Sequence, residues 1–333
     1  MQTIIFYDSK QYEQDFFIKE LFEEFNLVFN DYELLPETEL SYVEENAEII
    51  SVFTGSRLTI ETLSKFKKLK LILTRSVGFS HIDMDYCNEH NIIVANAPHY
   101  GDYTVAEFAF GLLLNLVRRI SYAENQLKNG DMYPETFGME LFGKTIGVVG
   151  TGAIGEKVVK IAKGFSMNVI CFDVKHNIYL EEKYGVKYSD LNTLCKLSDV
   201  ISLHAPLTPS TYHIIDSEKI SLMKENAIII NTARGELIDT EALYNALLDK
   251  TIKGAALDVL EFEDTISSKR PGENLNLKNL RTSLINNKLL NLPNVIATPH
   301  IAYDTQEAVH RILEMTLINI NEYKQGKEIK NKV

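Results

Sequence analysis

The chain has 333 residues, 45% hydrophobic and 24% charged, and exceeds the roughly 250–300 residues at which one hydrophobic core stops growing, which predicts two domains. Its formal net charge of −12 at pH 7 excludes nucleic acid and anionic lipid as expected partners, because both are polyanions that recruit Lys/Arg surfaces. Small charged metabolites stay open through local basic groups.

The start, MQTIIFYDSK, has neither the basic nor the apolar region of a secretory signal. Cys87, Cys171 and Cys195 are odd in number and far apart, outside the spacings of zinc or disulfide motifs, so inert thiols in a reducing cytoplasm are expected. From the amino terminus, Thr3–Tyr7, Ile49–Phe53, Leu71–Thr74 and Ile92–Ala95 read as buried parallel strands, with helical spacing in Gln11–Glu24 and Ile60–Lys67. Asn96-Ala97-Pro98 interrupts this α/β rhythm. A helix over Val105–Ile120 follows, with Asp102 and Thr104 as able N-caps. Its apolar part, Val105–Val117, carries Glu107 and Asn115 and falls short of the ~20 apolar residues that span a bilayer.

The rhythm resumes at Ile146–Val149, Val169–Phe172, Val200–Leu203, Ala227–Asn231, Gly254–Val259 and Val295–Ala297, which predicts a second doubly wound sheet. After Thr298-Pro299-His300 comes a helical stretch, Glu307–Tyr323, too small for a domain and expected to pack on the first one. The expected domains are therefore 1–99 plus 300–333, and 100–299. Asp264–Leu292, rich in Asn, Lys and Ser with weak periodicity, reads as a long functional or surface connection.

Within the second domain, the apolar run ending at Val149 leads into Gly150-Thr-Gly152-Ala-Ile154-Gly155, then helical Glu156–Phe165, a strand, and Asp173. The first glycine suits a tight turn, the second a close backbone approach to pyrophosphate, and the third close helix–strand packing. The helix start offers unpaired N–H groups to the anion. Asp173, near the ~20-residue spacing of such motifs, can accept hydrogen bonds from both ribose hydroxyls and repels a 2′-phosphate. The cofactor read from this is NAD, with Lys175 and His176 as basic neighbours able to offset the repulsion.

Three later runs end in polar groups: Asn231-Thr232-Ala233-Arg234, Asp258-Val-Leu-Glu261-Phe-Glu263 and Thr298-Pro-His300. In a parallel sheet the strands' carboxyl ends share one edge, where ligands bind. Together with Arg75-Ser-Val77-Gly78-Phe-Ser-His-Ile-Asp83, Asn96-Ala-Pro-His-Tyr100 and Ser202-Leu-His204-Ala205-Pro206-Leu-Thr, these segments resemble the D-2-hydroxyacid dehydrogenase family nearly end to end. The nearest branch is D-lactate dehydrogenase.

The resemblance implies an α/β fold with a flavodoxin-like substrate domain, a Rossmann NAD-binding domain and an active-site cleft between them. Arg234 would clamp the substrate carboxylate and His300 would carry the proton. Glu263, selected over Glu261 by the family spacing from Asp258, would favour the imidazolium. Asp258, His204, Ala205, Pro206, Thr211, Thr232 and Ala233 would line the cofactor path, and Arg234 would border it. Val77 and Gly78 would contact substrate through backbone, together with Tyr100 and Tyr303; the tyrosines read equally well as core. At Tyr303, and in the length of Asp264–Leu292, the chain departs from the D-lactate dehydrogenases that it resembles.

The expected reaction interconverts a 2-oxo acid, pyruvate first, with its D-2-hydroxy acid. Glyoxylate/hydroxypyruvate reduction is the enzymatic alternative and a non-catalytic NAD(H)-sensing protein the other. No Lys lies near Val77, as a phosphite-oxidising relative would require. His81, His90, His99, His176, His213 and His310 have no metal-ligand spacing, and no metal is expected. The resemblance implies a homodimer through Val105–Val117.

Overall fold

The computed structural model describes residues 1–263 and 277–333. They form two compact units: Met1–Tyr100 with Thr305–Val333, and Gly101–Asp304.

The first unit is a five-stranded parallel sheet of β1 (Gln2–Phe6), β2 (Phe25–Phe29), β3 (Ile49–Val52), β4 (Leu71–Thr74) and β5 (Ile93–Ala95), in the order β2-β1-β3-β4-β5. Its central strands β3 and β4 are buried along their length and mostly apolar because both faces are covered. Ile4, Phe6 and Leu71 pack with Phe17 of the helix Gln11–Leu21 and Leu313 of the helix Gln306–Lys324, while Ile5, Ile50 and Ile72 face Leu58, Leu63 and Cys87. Periodicity misses β2. It pairs only with β1, its exposed Asn26 followed by half-buried Leu-Val-Phe lacks a clean alternation, and the helical spacing before it runs past the true helix end at Leu21.

The second unit has seven parallel strands: β6 (Thr145–Val149), β7 (Asn168–Phe172), β8 (Lys187–Tyr188), β9 (Val200–Leu203), β10 (Ile228–Asn231), β11 (Gly254–Leu257) and β12 (Val295–Ala297). Their order is β12-β11-β10-β9-β6-β7-β8. Numbered within the unit this is the 3-2-1-4-5-6 winding of a Rossmann sheet plus one strand, and the winding reverses between β6 and β9. That reversal places the Gly150 turn at the switch point, where such sheets bind ligands.

Three local readings change. The long helix is Asp102–Arg118 with Gly101 at its N-cap, so Asp102 and Thr104 lie in its first turn and not at the cap. Its apolar face is used inside its own unit: Ala106, Ala109 and Leu113 are buried with Val158, Val159 and Ala162 of the helix Ala153–Gly164. Only its outer edge, with Glu107 and Gly111 exposed, is left for a subunit contact.

Within Asp264–Leu292, positions 264–276 lie outside the described residues, whereas Leu277–Leu289 is a helix. Among its described side chains the buried ones are Thr282, Ser283, Asn286 and Leu289. They fall on one helical face, but that face is mostly polar, so hydrophobic periodicity cannot reveal it. Among the described residues no helix is long and apolar enough to cross a membrane.

Candidate active site

The glycine turn is built by steric necessity. Gly150 has φ +91°, and a Cβ on it would stand 2.6 Å from the Ala205 nitrogen. A Cβ on Gly155 would collide with the Gly150 carbonyl oxygen. Gly152 differs: a Cβ there would meet nothing within 4 Å. It caps the helix Ala153–Gly164, whose first-turn N–H groups, those of Ala153, Ile154 and Gly155, have no carbonyl inside the helix to bond. Open space beside orphan donors at a helix start is what a pyrophosphate requires, so the residues present fit a dinucleotide.

Asp173 follows β7. Its Oδ2 accepts from the Thr151 nitrogen at 2.6 Å and from Thr151 Oγ1 at 3.1 Å, and its Oδ1 accepts from the Lys175 nitrogen at 3.0 Å. Partial burial pushes its pKa up, but these hydrogen bonds outweigh burial and hold the carboxyl below the usual range, so it is ionised. A cavity of about 570 Å³ opens beside it, lined by Thr151, Gly152, Lys175, His176 and Tyr179 among others.

Across the switch point, burial pushes His204 down to about 3, and its Nε2 lies 2.7 Å from Ser202 Oγ. It is therefore neutral at physiological pH and is no source of protons. Ala205 is buried and Pro206 exposed. Thr211 Oγ1 donates to the Pro206 carbonyl at 2.6 Å and closes that loop. Thr232 is buried, and its Oγ1 has no partner among the described residues. A buried hydroxyl left unbonded costs free energy that a bound polar group would recover.

Arg234, Glu263 and His300 follow the carboxyl ends of adjacent strands β10, β11 and β12. Asn231 shapes the first of these turns: its Oδ1 accepts from the Ala233 nitrogen at 3.0 Å and its Nδ2 donates to the Arg234 carbonyl at 2.7 Å. Arg234 Nη1 donates to the Ala233 carbonyl at 2.6 Å. Among the described residues no carboxylate stands within ion-pair distance of its guanidinium. Asp258, 1% exposed, shapes the third turn by accepting from Thr298 Oγ1 at 2.6 Å, the Ile301 nitrogen at 2.9 Å and the Ala302 nitrogen at 2.8 Å.

His300 is held at φ +55° in that turn, with its Nδ1 2.6 Å from Glu263 Oε1. Burial lowers its pKa, but the hydrogen bond and charge of Glu263 more than offset this and raise it above the ordinary value. With Nδ1 committed to Glu263, Nε2 is the nitrogen free to exchange a proton. Glu261 is not the solvated carboxylate; it is 3% exposed and bonded to His213 and Thr240.

Val77, Gly78 and Tyr100 belong to the first unit. After β4, the Val77 carbonyl accepts from Asn96 Nδ2 at 2.8 Å and the Gly78 carbonyl from Ser76 Oγ at 2.6 Å, which fixes this loop. The Tyr100 carbonyl accepts from Arg311 Nε at 2.8 Å. Tyr303, half-buried, ends the His300 segment in the second unit. Residues that the motifs did not single out, Asn231 and Asn286, act through hydrogen bonds to backbone, which leave no periodic signal; only the position of Asn231 at a strand end marked it. Among the described residues no three His, Cys, Asp or Glu side chains group as a metal site.

Residues 110–302 match the model of the D-isomer specific 2-hydroxyacid dehydrogenase NAD-binding domain. The chain is 44% identical over 276 residues to a D-3-phosphoglycerate dehydrogenase of Methanocaldococcus jannaschii, covering 82% of this chain and 49% of that protein, so the chain spans about half the length of that relative. It is 40% identical over 281 residues to a hydroxypyruvate reductase of Thermotoga maritima, covering 84% of this chain and 86% of the other. Among solved structures, a D-lactate dehydrogenase of Aquifex aeolicus complexed with NAD and lactic acid superposes with a TM-score of 0.88 at 38% identity, over 99% of this chain and 98% of that one.

Proposed function

The chain belongs to the D-isomer specific 2-hydroxyacid dehydrogenase family, and we propose that within it this enzyme reduces pyruvate to D-lactate with NADH. The observation that carries the reading is the His300–Glu263 pair at 2.6 Å, on the same sheet edge as an Arg234 free of carboxylate partners among the described residues.

The Gly150–Gly155 turn and Asp173 would hold NADH, which would supply the hydride chemistry for reducing a 2-oxo acid. The protein's side chains do the rest. Arg234 holds the substrate carboxylate with a planar fork of donors. His300 gives the Nε2 proton to the keto oxygen, so C=O becomes CH–OH, and takes it back in the reverse direction. Glu263 keeps the imidazole oriented and favours its charged form. Asp173 binds the adenosine ribose, and Asp258, His204, Thr211 and Thr232 border the cofactor. Val77 and Gly78, with Tyr100 and Tyr303, contact the substrate. We place the enzyme in the cytoplasm as a homodimer, for which light scattering is the check; a monomer mass removes the dimer.

End-to-end similarity to the Aquifex aeolicus D-lactate dehydrogenase supports pyruvate as the substrate. The Thermotoga maritima relative favours hydroxypyruvate as the second reading. Following NADH absorbance with pyruvate, glyoxylate, hydroxypyruvate and phenylpyruvate separates them. The highest kcat/KM is expected with pyruvate, and a preference for hydroxypyruvate transfers the assignment. Turnover of none of the four would sink the enzyme reading in favour of an NAD(H)-sensing protein.

A further inference from the structure

Glu261 and Glu263 lie two residues apart in very different surroundings. Both oxygens of Glu261 are engaged: Oε1 accepts from His213 Nε2 at 3.1 Å and Tyr212 OH at 3.3 Å, and Oε2 accepts from Thr240 Oγ1 at 2.9 Å. Its backbone carbonyl accepts from Asn286 Nδ2 at 2.8 Å. These donors come from the loop before Ile215, the first turn of the helix Thr240–Leu248 and the helix Leu277–Leu289. On another side the Leu260–Glu261 peptide lies so close to Gly235 that a Cβ there would collide with it. Gly235 is the residue next to Arg234.

Phe262, between the two glutamates, has φ +55°. A bulky residue takes this left-handed conformation only where its surroundings impose it. Within the Leu260–Glu263 turn the Leu260 nitrogen donates to Glu263 Oε2 at 3.2 Å, and the bonds of Glu261 tie the turn to three other elements.

We propose that Glu261 is a positioning residue: anchored by His213, Thr240 and Asn286, it holds the Leu260–Glu263 turn so that Glu263 meets His300, in register with Arg234 through Gly235. This rests on the reading of His300 as the proton carrier. The charged groups that act on His300 are Glu263, Arg234 and Asp258. The titratable groups around Glu261 are His213, Asp239 at 3.9 Å from His213 Nδ1, the Tyr212 hydroxyl, and Glu236, whose carboxyl feels both Glu261 and Glu263. Moving Glu263 away therefore removes the nearest carboxylate from His300, leaving burial and Arg234 to oppose its protonation and Asp258 to favour it.

The test is a histidine-¹⁵N NMR titration of the cofactor-free protein, with the His300 signal assigned by its loss in His300→Asn. In Glu261→Ala, His300 is expected to titrate below wild type and close to its value in Glu263→Gln. Glu261→Gln, which keeps the side chain's shape, should stay near wild type. Turnover of Glu261→Ala should fall by roughly 10²-fold, the cost of about 1 Å of misplacement, with NADH affinity unchanged. A folded Glu261→Ala protein with wild-type His300 titration overturns the proposal. If that variant does not fold, the Thr240→Val/Asn286→Ala protein is titrated instead: a downward shift supports the anchor, and an unchanged titration overturns it. Failure of the wild type to turn over any 2-oxo acid would sink the enzyme reading alone, because the NMR comparison needs no substrate.

Discussion

At the Gly150–Gly155 turn the groups aimed at the ligand are backbone, contiguous in sequence and held by one strand and one helix. At the Arg234–Glu263–His300 edge they are three side chains from three strand ends, each aimed by other residues: Asn231 for Arg234, the Glu261 turn for Glu263, Asp258 for His300. The first region tolerates no added atom at two of its glycines, and the second, on the proposed function, depends on His300 as proton carrier. One is sensitive to shape and the other to chemistry, so substitutions should separate folding and binding from turnover.

The largest effect is expected from His300→Ala, which should lower turnover by roughly 10²–10⁴ with NADH affinity, read by fluorescence, intact. Turnover near wild type would assign the proton to another group. Next, Gly155→Ala should destabilise the protein by about 2–4 kcal/mol, because the methyl collides with the Gly150 carbonyl. Gly152→Ala should unfold within ~0.5 kcal/mol of wild type yet bind NADH more weakly. Equal melting temperatures for the two variants would erase the distinction between packing and ligand-facing glycines.

Asp173→Ala should narrow the NADH/NADPH preference by roughly 10- to 100-fold, the scale of one charge-assisted hydrogen bond at about 1.5–3 kcal/mol. An unchanged ratio of kcat/KM values points to Lys175 or His176 as the deciding group. The smallest effect is a displacement along the pH axis. Reduction needs protonated His300, whose pKa is raised because Glu263 outweighs burial, so kcat should hold at low pH and fall as pH rises through that raised value. Oxidation should show the opposite limb. The stabilisation from the His300–Glu263 pair has the same sign: full below the ordinary histidine pKa and lost as pH rises through the folded one. Glu263→Gln should move the fall in reduction to lower pH; a stationary limb would detach it from His300.

Central strands were legible because burial on both faces demands continuous apolar runs, as in Ile228–Asn231 and Leu71–Thr74. β2 and the two-residue β8 were not: Phe-Asn-Leu-Val-Phe follows directly on a helical pattern that masks it, and β8 is too short to show a run. Likewise the helix Leu277–Leu289 hides behind a polar buried face. Of the site, Arg234, Glu263 and His300 stood out as polar groups closing apolar runs. The family spacing from Asp258 selected Glu263 over Glu261, and the coordinates supply the physical difference: Glu261 is buried on His213 and Thr240 while Glu263 meets His300.

By itself the sequence determined the two α/β sheets, the glycine turn with Asp173 and the three polar strand ends, since periodicity and glycine placement express local backbone requirements. Tertiary structure decided what those groups touch: that Glu261 is buried on His213 while Glu263 reaches His300, and that Asp258 closes the His300 turn. A hydrogen bond between residues far apart in the chain depends on where whole elements pack, and no local pattern of residue types carries that information.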